Sequence, residues 1–284
     1  MRGPLAAFFA ALSIAGCSAF VSLDGLLVPD GGMPGDGGGE DSSDAGLDMQ
    51  AADTGVDNHV PACPSGRGVP MVEVDGHCVD TLETSYADYL AFTAQLDGGL
   101  GTMPPECAFK TTNDPTNVPG NKALPVVWTD WCDAWAYCQW AGKELCGAPG
   151  GGPVLIADLG DWTKSLWMAA CSHDGTTPYP YGAKFQSGYC QLSDPDGGAG
   201  AFSVPSGSNK KCEGGFPGIY DMIGNVREWE NSCSGTAGAP DDCRRRGGAF
   251  NETDESYVRC DYAETYTRDF RSATSGFRCC AQKK

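Results

Sequence analysis

Fifteen cysteines in 284 residues constrain this chain more than any other feature. In a reducing compartment so many thiols are a liability, so the count points to an exported protein whose cysteines are mostly paired. An odd total leaves one thiol over. The charge balance narrows the partners: 37 acidic residues against 19 Lys and Arg give a net charge of −18. Recognition of nucleic acid or of an anionic bilayer by charge is thereby disfavoured, because a polyanion needs basic patches.

The leftover thiol has a place at the N-terminus. Met1-Arg2 is a short positive region, Leu5 to Ile14 is an apolar core of signal length, and Ile14-Ala15-Gly16-Cys17 resembles a bacterial lipobox. That resemblance implies that 1–16 is a lipoprotein signal peptide and that Cys17 is lipidated, palmitate included, and becomes the mature N-terminus. The other fourteen cysteines form an even set. The expected location is the bacterial cell envelope, with the membrane met through the lipid anchor alone, since no later stretch reaches ~18 consecutive apolar residues. Residues 17–62 are rich in Gly, Asp, Ser and Ala, and from Ser18 to Ala62 there is no Lys or Arg. Such a segment cannot bury enough apolar surface to offset its chain entropy, so a disordered acidic tether is expected.

Residues 63–284 are long enough to bury a full core as one domain. Val72 to Val79 alternates apolar and polar residues around Asp75-Gly76, which predicts a hairpin with a type I′ turn. Ser85 with Asp88 predicts a capped helix placing Tyr86, Tyr89, Leu90 and Thr93 on one face. A second helix is expected from about Thr129, with Trp131, Trp135 and Cys138 in the core and Gly142 as its stop. A third is expected from about Asp158, with Trp162, Leu166 and Ala169 inward. Beyond Cys171, glycine, proline and aromatic residues predict loops and short strands.

Five segments then occur in a telling order: Trp135-Ala136-Tyr137-Cys138-Gln139-Trp140-Ala141-Gly142-Lys143, Tyr179-Pro180-Tyr181-Gly182, Gly218-Ile219-Tyr220-Asp221-Met222-Ile223-Gly224-Asn225-Val226-Arg227-Glu228-Trp229, Arg246-Gly247-Gly248-Ala249-Phe250 and Ser275-Gly276-Phe277-Arg278-Cys279. Together they resemble the sulfatase-modifying-factor family, which contains the formylglycine-generating enzymes. The resemblance implies an α+β, C-type-lectin-like fold that is loop-rich and disulfide-stabilised. It also implies an oxidase that converts a sulfatase cysteine using O₂ and copper(I) held by two cysteines after the Arg-Gly-Gly motif, soft thiolates suiting a soft ion. Here that stretch, Ala249 to Cys260, has no cysteine before Cys260, and Glu252 and Tyr257 stand near the places of the pair. Arg227 replaces the family's aromatic residue, so the substrate groove must differ. A three-histidine iron site of a sister branch is not expected from His59, His77 and His173, in a tether, a turn and a loop.

The family's structural calcium is expected instead, held by Asp221, the carbonyls of Gly224 and Val226, and Glu228, hard oxygens on a glycine-bent loop. A second ion would map to Gln191, the carbonyl of Leu192, Asp196 and the carbonyl of Gly198. By resemblance Cys138 pairs with Cys279 and Cys171 with Cys260. Proximity in sequence points to Cys63 with Cys78, Cys190 with Cys212, and Cys233 with Cys243. Cys107, Cys132, Cys146 and Cys280 remain, with three possible pairings. These readings converge on a tethered, non-catalytic module that binds a peptide, glycan or cell-surface protein and needs no copper. The alternative is a formylglycine-generating oxidoreductase with an altered site.

Overall fold

The computed structural model describes residues 62–193 and 202–284. Cys17, the leader, the tether up to residue 61, Asp196 and Gly198 lie outside them.

Strand β1 (Met71–Val74) pairs antiparallel with β2 (His77–Asp80), and Asp75 and Gly76 both take positive φ, 42° and 79°, as a type I′ turn requires. Helix α1 (Tyr86–Thr93) is capped by Ser85, whose side chain accepts from the amide of Asp88. Its buried face is Tyr86, Tyr89, Phe92 and Thr93, so Phe92 takes the place expected for Leu90. The larger ring wins because it reaches Tyr137 edge-on at 5.9 Å. Helix α2 (Trp131–Trp140) begins two residues after Thr129, behind a reciprocal capping box of Asp130 and Asp133. Trp131 and Cys138 are buried as expected, whereas Trp135 is only partly so.

The third helix is shorter than its sequence pattern. Asp161 caps a single 3₁₀ turn, Trp162–Lys164, and Ser165 is extended at φ −133°, ψ 114° before α3 (Leu166–Ser172) starts. The two caps compete for one segment, and Ser165, which accepts from the amide of Met168, restarts the helix. Trp162 therefore lies off the helix and stays half-buried.

The rest is short strands: β3 (Glu144–Leu145), β4 (Glu213–Gly214), β5 (Phe216–Tyr220), β6 (Arg227–Cys233), β7 (Asp242–Arg246), β8 (Ala263–Thr267), β9 (Ser275–Phe277) and β10 (Cys279–Gln282). One sheet runs β1-β2-β10-β3, a second β8-β7-β6-β9, and β4 and β5 form a ribbon. The β6–β9 pairing is parallel and brings Arg227, Glu228 and Trp229 against Ser275, Gly276 and Phe277. Two of the sequence segments singled out above thus become neighbours.

The described cysteines form seven disulfides. Cys63–Cys78, Cys138–Cys279, Cys171–Cys260, Cys190–Cys212 and Cys233–Cys243 are the five expected pairs. Cys107–Cys132 and Cys146–Cys280 resolve the remaining four. No described helix is long and apolar enough to cross a membrane.

Candidate functional site

The stretch after Arg246-Gly247-Gly248 runs beside β6, and there the two departures from the family pattern meet. The guanidinium of Arg227 donates to the Glu252 carboxylate through one nitrogen, and its Nε lies 2.8 Å from Glu264. Glu264 also receives Arg245, whose guanidinium stacks on Tyr266 at 4.2 Å, Phe270 at 4.8 Å and Trp229 at 5.4 Å. Tyr257 leaves this network and packs on Tyr262, ring centres 5.1 Å apart. Where the resemblance calls for two thiolates, the chain has an ion pair and a tyrosine pair. The residues do not fit copper(I): a carboxylate oxygen is hard and already held by Arg227. Every described cysteine is disulfide-bonded, so none of them offers a thiolate.

Glu252 also borders a cavity of about 390 Å³. Phe185, Leu192 and Val258 give it apolar walls, and Gln191, Asn209 and Thr253 give it neutral polar ones. Asp254 and Glu255 add carboxylates, and no Lys or Arg lines it among the described residues. Asp254 is occupied in capping the 3₁₀ turn Glu255–Val258. The Cys190–Cys212 bridge fixes one wall, and the amide of Ser193 donating to Glu252 O at 3.0 Å ties that wall to the other. A concave, partly apolar space with a few fixed polar groups is the form of a ligand site.

The loop expected to hold calcium folds as a left-handed bend, with Asp221, Gly224 and Asn225 at φ 56°, 77° and 52°. Asp221 Oδ2 accepts from the amide of Gly207 at 2.5 Å, while its Oδ1 is buried without a hydrogen-bond partner. Burial raises its carboxyl to about 6. Glu228 is differently placed: Arg278 Nε donates to both of its oxygens, at 3.0 and 2.7 Å, and Trp167 Nε1 donates to Oε2 at 2.7 Å. Asp221 thus keeps one unpaired oxygen while Glu228 is closed by Arg278, and among the described residues no group of three or more Asp, Glu, His or Cys side chains is placed to hold a metal ion. Of the second set, Gln191 Nε2 donates to Phe202 O and Gln191 O accepts from Asn225, while Leu192 faces the cavity. Asp196 and Gly198 belong to the residues not described.

Glu83 is a member of this cluster that the sequence did not single out. It accepts from the amide of Val226 at 3.1 Å, Asn225 Nδ2 at 2.6 Å and Ser206 Oγ at 2.7 Å. Burial, and then its neighbours Asp221 and Glu228, push its pKa well up. Nothing in Leu82-Glu83-Thr84 marks it, because its partners lie 123 to 143 residues away. Glu264 is likewise unmarked in the sequence, its partners Arg227 and Arg245 standing on other strands. The two histidines among the described residues are apart in role: His77 Nδ1 meets Gln282 Oε1 at 2.9 Å, and the His173 ring packs on Phe216.

Residues 45–283 match the profile described as Sulfatase-modifying factor enzyme 1-like domain. Among curated relatives, the Inactive C-alpha-formylglycine-generating enzyme 2 of Bos taurus is 29% identical over 209 residues, 66% of this chain and 60% of that protein. The mouse protein of the same name is 31% identical over 55% of this chain and 48% of its own length. The mouse Formylglycine-generating enzyme is 27% identical over 55% and 44%. The chain thus spans between 44% and 60% of the length of these relatives. The crystal structure of CarF superposes with a TM-score of 0.50 at 18% identity, covering 77% of this chain and 96% of that one, a likeness of fold alone. With the profile covering all but the first residues and the last one, and with its ordered motifs folded into a mixed α/β, C-type-lectin-like scaffold, the chain belongs to the family of sulfatase-modifying factor enzyme 1-like domains.

Proposed function

We propose that the protein is a non-catalytic binding module, tethered to a membrane through Cys17, that uses the cavity beside Glu252 to hold a peptide, glycan or cell-surface partner. The observation that carries this reading is the ion pair of Glu252 with Arg227, since Glu252 and Tyr257 are the residues near which the resemblance puts the copper cysteines. Replacing one thiolate would leave a damaged site. Here a carboxylate and the guanidinium that neutralises it occur together, and charges so paired hold Glu252, at the wall of the cavity, in one arrangement. Two curated relatives whose names begin with "Inactive" lend further support. The acidic rim suits a neutral or cationic ligand better than an anionic one.

Calcium belongs to the same proposal in reduced form. Asp221 Oδ1 and the carbonyls of Gly224 and Val226 would hold the ion and brace the loop that carries Arg227, while Glu228 remains with Arg278. The catalytic question is tested by incubating the protein with a Cys-x-Pro-x-Arg peptide, copper and a reductant. The expected result is an unchanged peptide by mass spectrometry. An 18-Da loss at the cysteine, above a control without protein, would restore the oxidase.

A further inference from the structure

A second cavity, about 280 Å³, lies against α2 and shares no residue with the one beside Glu252. Its apolar walls are Pro104, Trp131, Trp135 and Pro153. Trp131 is held on three sides. Its Nε1 donates to Glu230 O at 3.0 Å, the Arg268 guanidinium lies over its ring at 4.7 Å, and Trp135 stacks on it at 5.2 Å with 27° between the planes. Arg268 is fixed in turn by Gly235 O at 2.9 Å and Asp241 Oδ2 at 3.2 Å. The aromatic pair is thus set in advance, and Trp135 stays partly open.

The polar part of the lining is more telling. Asn231 is only 4% exposed, and its backbone is committed to Cys146 O and the amide of Val154. Its side-chain carboxamide has no hydrogen-bond partner among the described residues, yet it lines this cavity. The carboxamide is not among the sealed, unpaired polar groups of the described residues, so it meets the solvent of this cavity and is free to exchange water for a ligand hydroxyl. Glu106 and the hydroxyl residues Ser234 and Thr236 surround the same space.

We propose that this cavity is a saccharide site, taking one pyranose ring with its C–H face on Trp135 and its hydroxyls on Asn231 and Glu106. The electron-rich face of an indole attracts the weakly positive C–H groups of a sugar. A hydroxyl both donates and accepts, so one sugar satisfies the carboxamide oxygen, the carboxamide N–H groups and the Glu106 carboxylate together. A proline-rich peptide also packs on indoles. Its tertiary amides only accept, which would leave Asn231 Oδ1 and Glu106 without donors. The volume is just below the range of roughly 300–1,000 Å³ usual for small-molecule sites, room for about one ring. This site is separate from the cavity beside Glu252 and stands whether or not that cavity binds anything.

The test is a glycan array spanning neutral hexoses, N-acetylhexosamines and uronic acids, probed with the full-length protein. Titration calorimetry follows with the best-bound glycan and with a proline-rich peptide. Saturable glycan binding is expected, with Kd raised at least tenfold in Trp135→Ala and in Asn231→Leu and raised in Glu106→Ala, a partly exposed position chosen to keep the fold. Thr111→Ala, at an exposed position that lines neither cavity, is expected to bind as the wild type does. No saturable glycan binding, a Kd unchanged from the wild type in the three variants, a comparable loss in Thr111→Ala, or preference for the proline-rich peptide would each overturn the proposal.

Discussion

Glu230 is fully buried between Arg246, whose Nε is 2.8 Å from its Oε2, and Arg244 at 3.2 Å, while its other oxygen accepts from Ser165. Burial alone would raise its pKa, and the two guanidinium groups outweigh that and hold it below the usual range. Glu230→Gln would leave two buried cations sharing no anion, a change of about 3–5 kcal/mol by analogy with broken buried pairs. Chemical denaturation is expected to show that loss, and a change under 1 kcal/mol would mean the arginines find other partners. Asp80 has the opposite sign. Burial raises it from 3.8 to about 6 despite Lys143 Nζ at 2.5 Å. A raised acid binds its proton more tightly in the folded chain, so its contribution is present below the unfolded value of 3.8 and is lost as pH rises through about 6. The urea midpoint of the wild type is therefore expected to fall between those pH values, with a shallower fall in Asp80→Asn. An equal slope in both would clear Asp80 of the effect. Single positions such as these were invisible in the sequence, because nothing near Asp80 or Glu230 along the chain announces the cation each will meet.

At the scale of elements, α2 is the hinge between motif and fold. Asp130 caps it, pairs with Lys110 at 2.8 Å and receives Arg271 at 3.0 Å. Two disulfides then join its far end and β3 to β10: Cys138–Cys279 and Cys146–Cys280 span 141 and 134 residues. Their ends are adjacent, so once either is closed the other closes a loop of only about nine residues. In the chain-entropy picture a loop of that size contributes about 2.7 kcal/mol and one of about 140 residues roughly 5 kcal/mol. Removing either bridge by paired Cys→Ala changes is expected to cost about 2.7 kcal/mol, and removing both nearly 8, more than the sum of the parts. Additive losses, measured by denaturant midpoints of the three variants, would refute this coupling. The helix signals themselves were legible: Ser85 and Gly142 act where the sequence put them, since capping depends on near neighbours. The start of α3 was not, because Asp161 and Ser165 both cap and only packing chooses between them.

For the whole molecule, the acidic chain must hold a folded domain against its own charge. Calcium on the Asp221 loop is expected to raise the melting temperature, because a ligand confined to the native state adds about 2.7 kcal/mol at a hundredfold excess over its Kd. For a domain of this size that is roughly 5 °C or more. Asp221→Asn is expected to abolish the rise, whereas Glu228→Gln, which strands Arg278, is expected to destabilise with or without the ion. Equal melting in EDTA and in millimolar Ca²⁺ would count against any ion there. Membrane attachment is expected to depend on Cys17, and Cys17→Ser should move the protein to the soluble fraction. An unchanged distribution would end the lipoprotein reading.

Motif order carried the family and therefore the scaffold, because five segments in one order seldom agree by chance, and the family match over residues 45–283 bears that reading out. Local chemistry carried the hairpin turn, the Ser85 cap and the Gly142 stop, and cysteine parity with proximity carried the short-range bridges. What only the tertiary structure decided is long-range: that Arg227 meets Glu252 and Glu264, that Arg278 closes Glu228, that Cys107 bonds Cys132 and Cys146 bonds Cys280, and that Asn231 and Trp135 line one cavity. The physical reason is that charges, thiols and ring faces act over a few ångströms of space, and in a loop-rich fold separation along the chain says almost nothing about that distance.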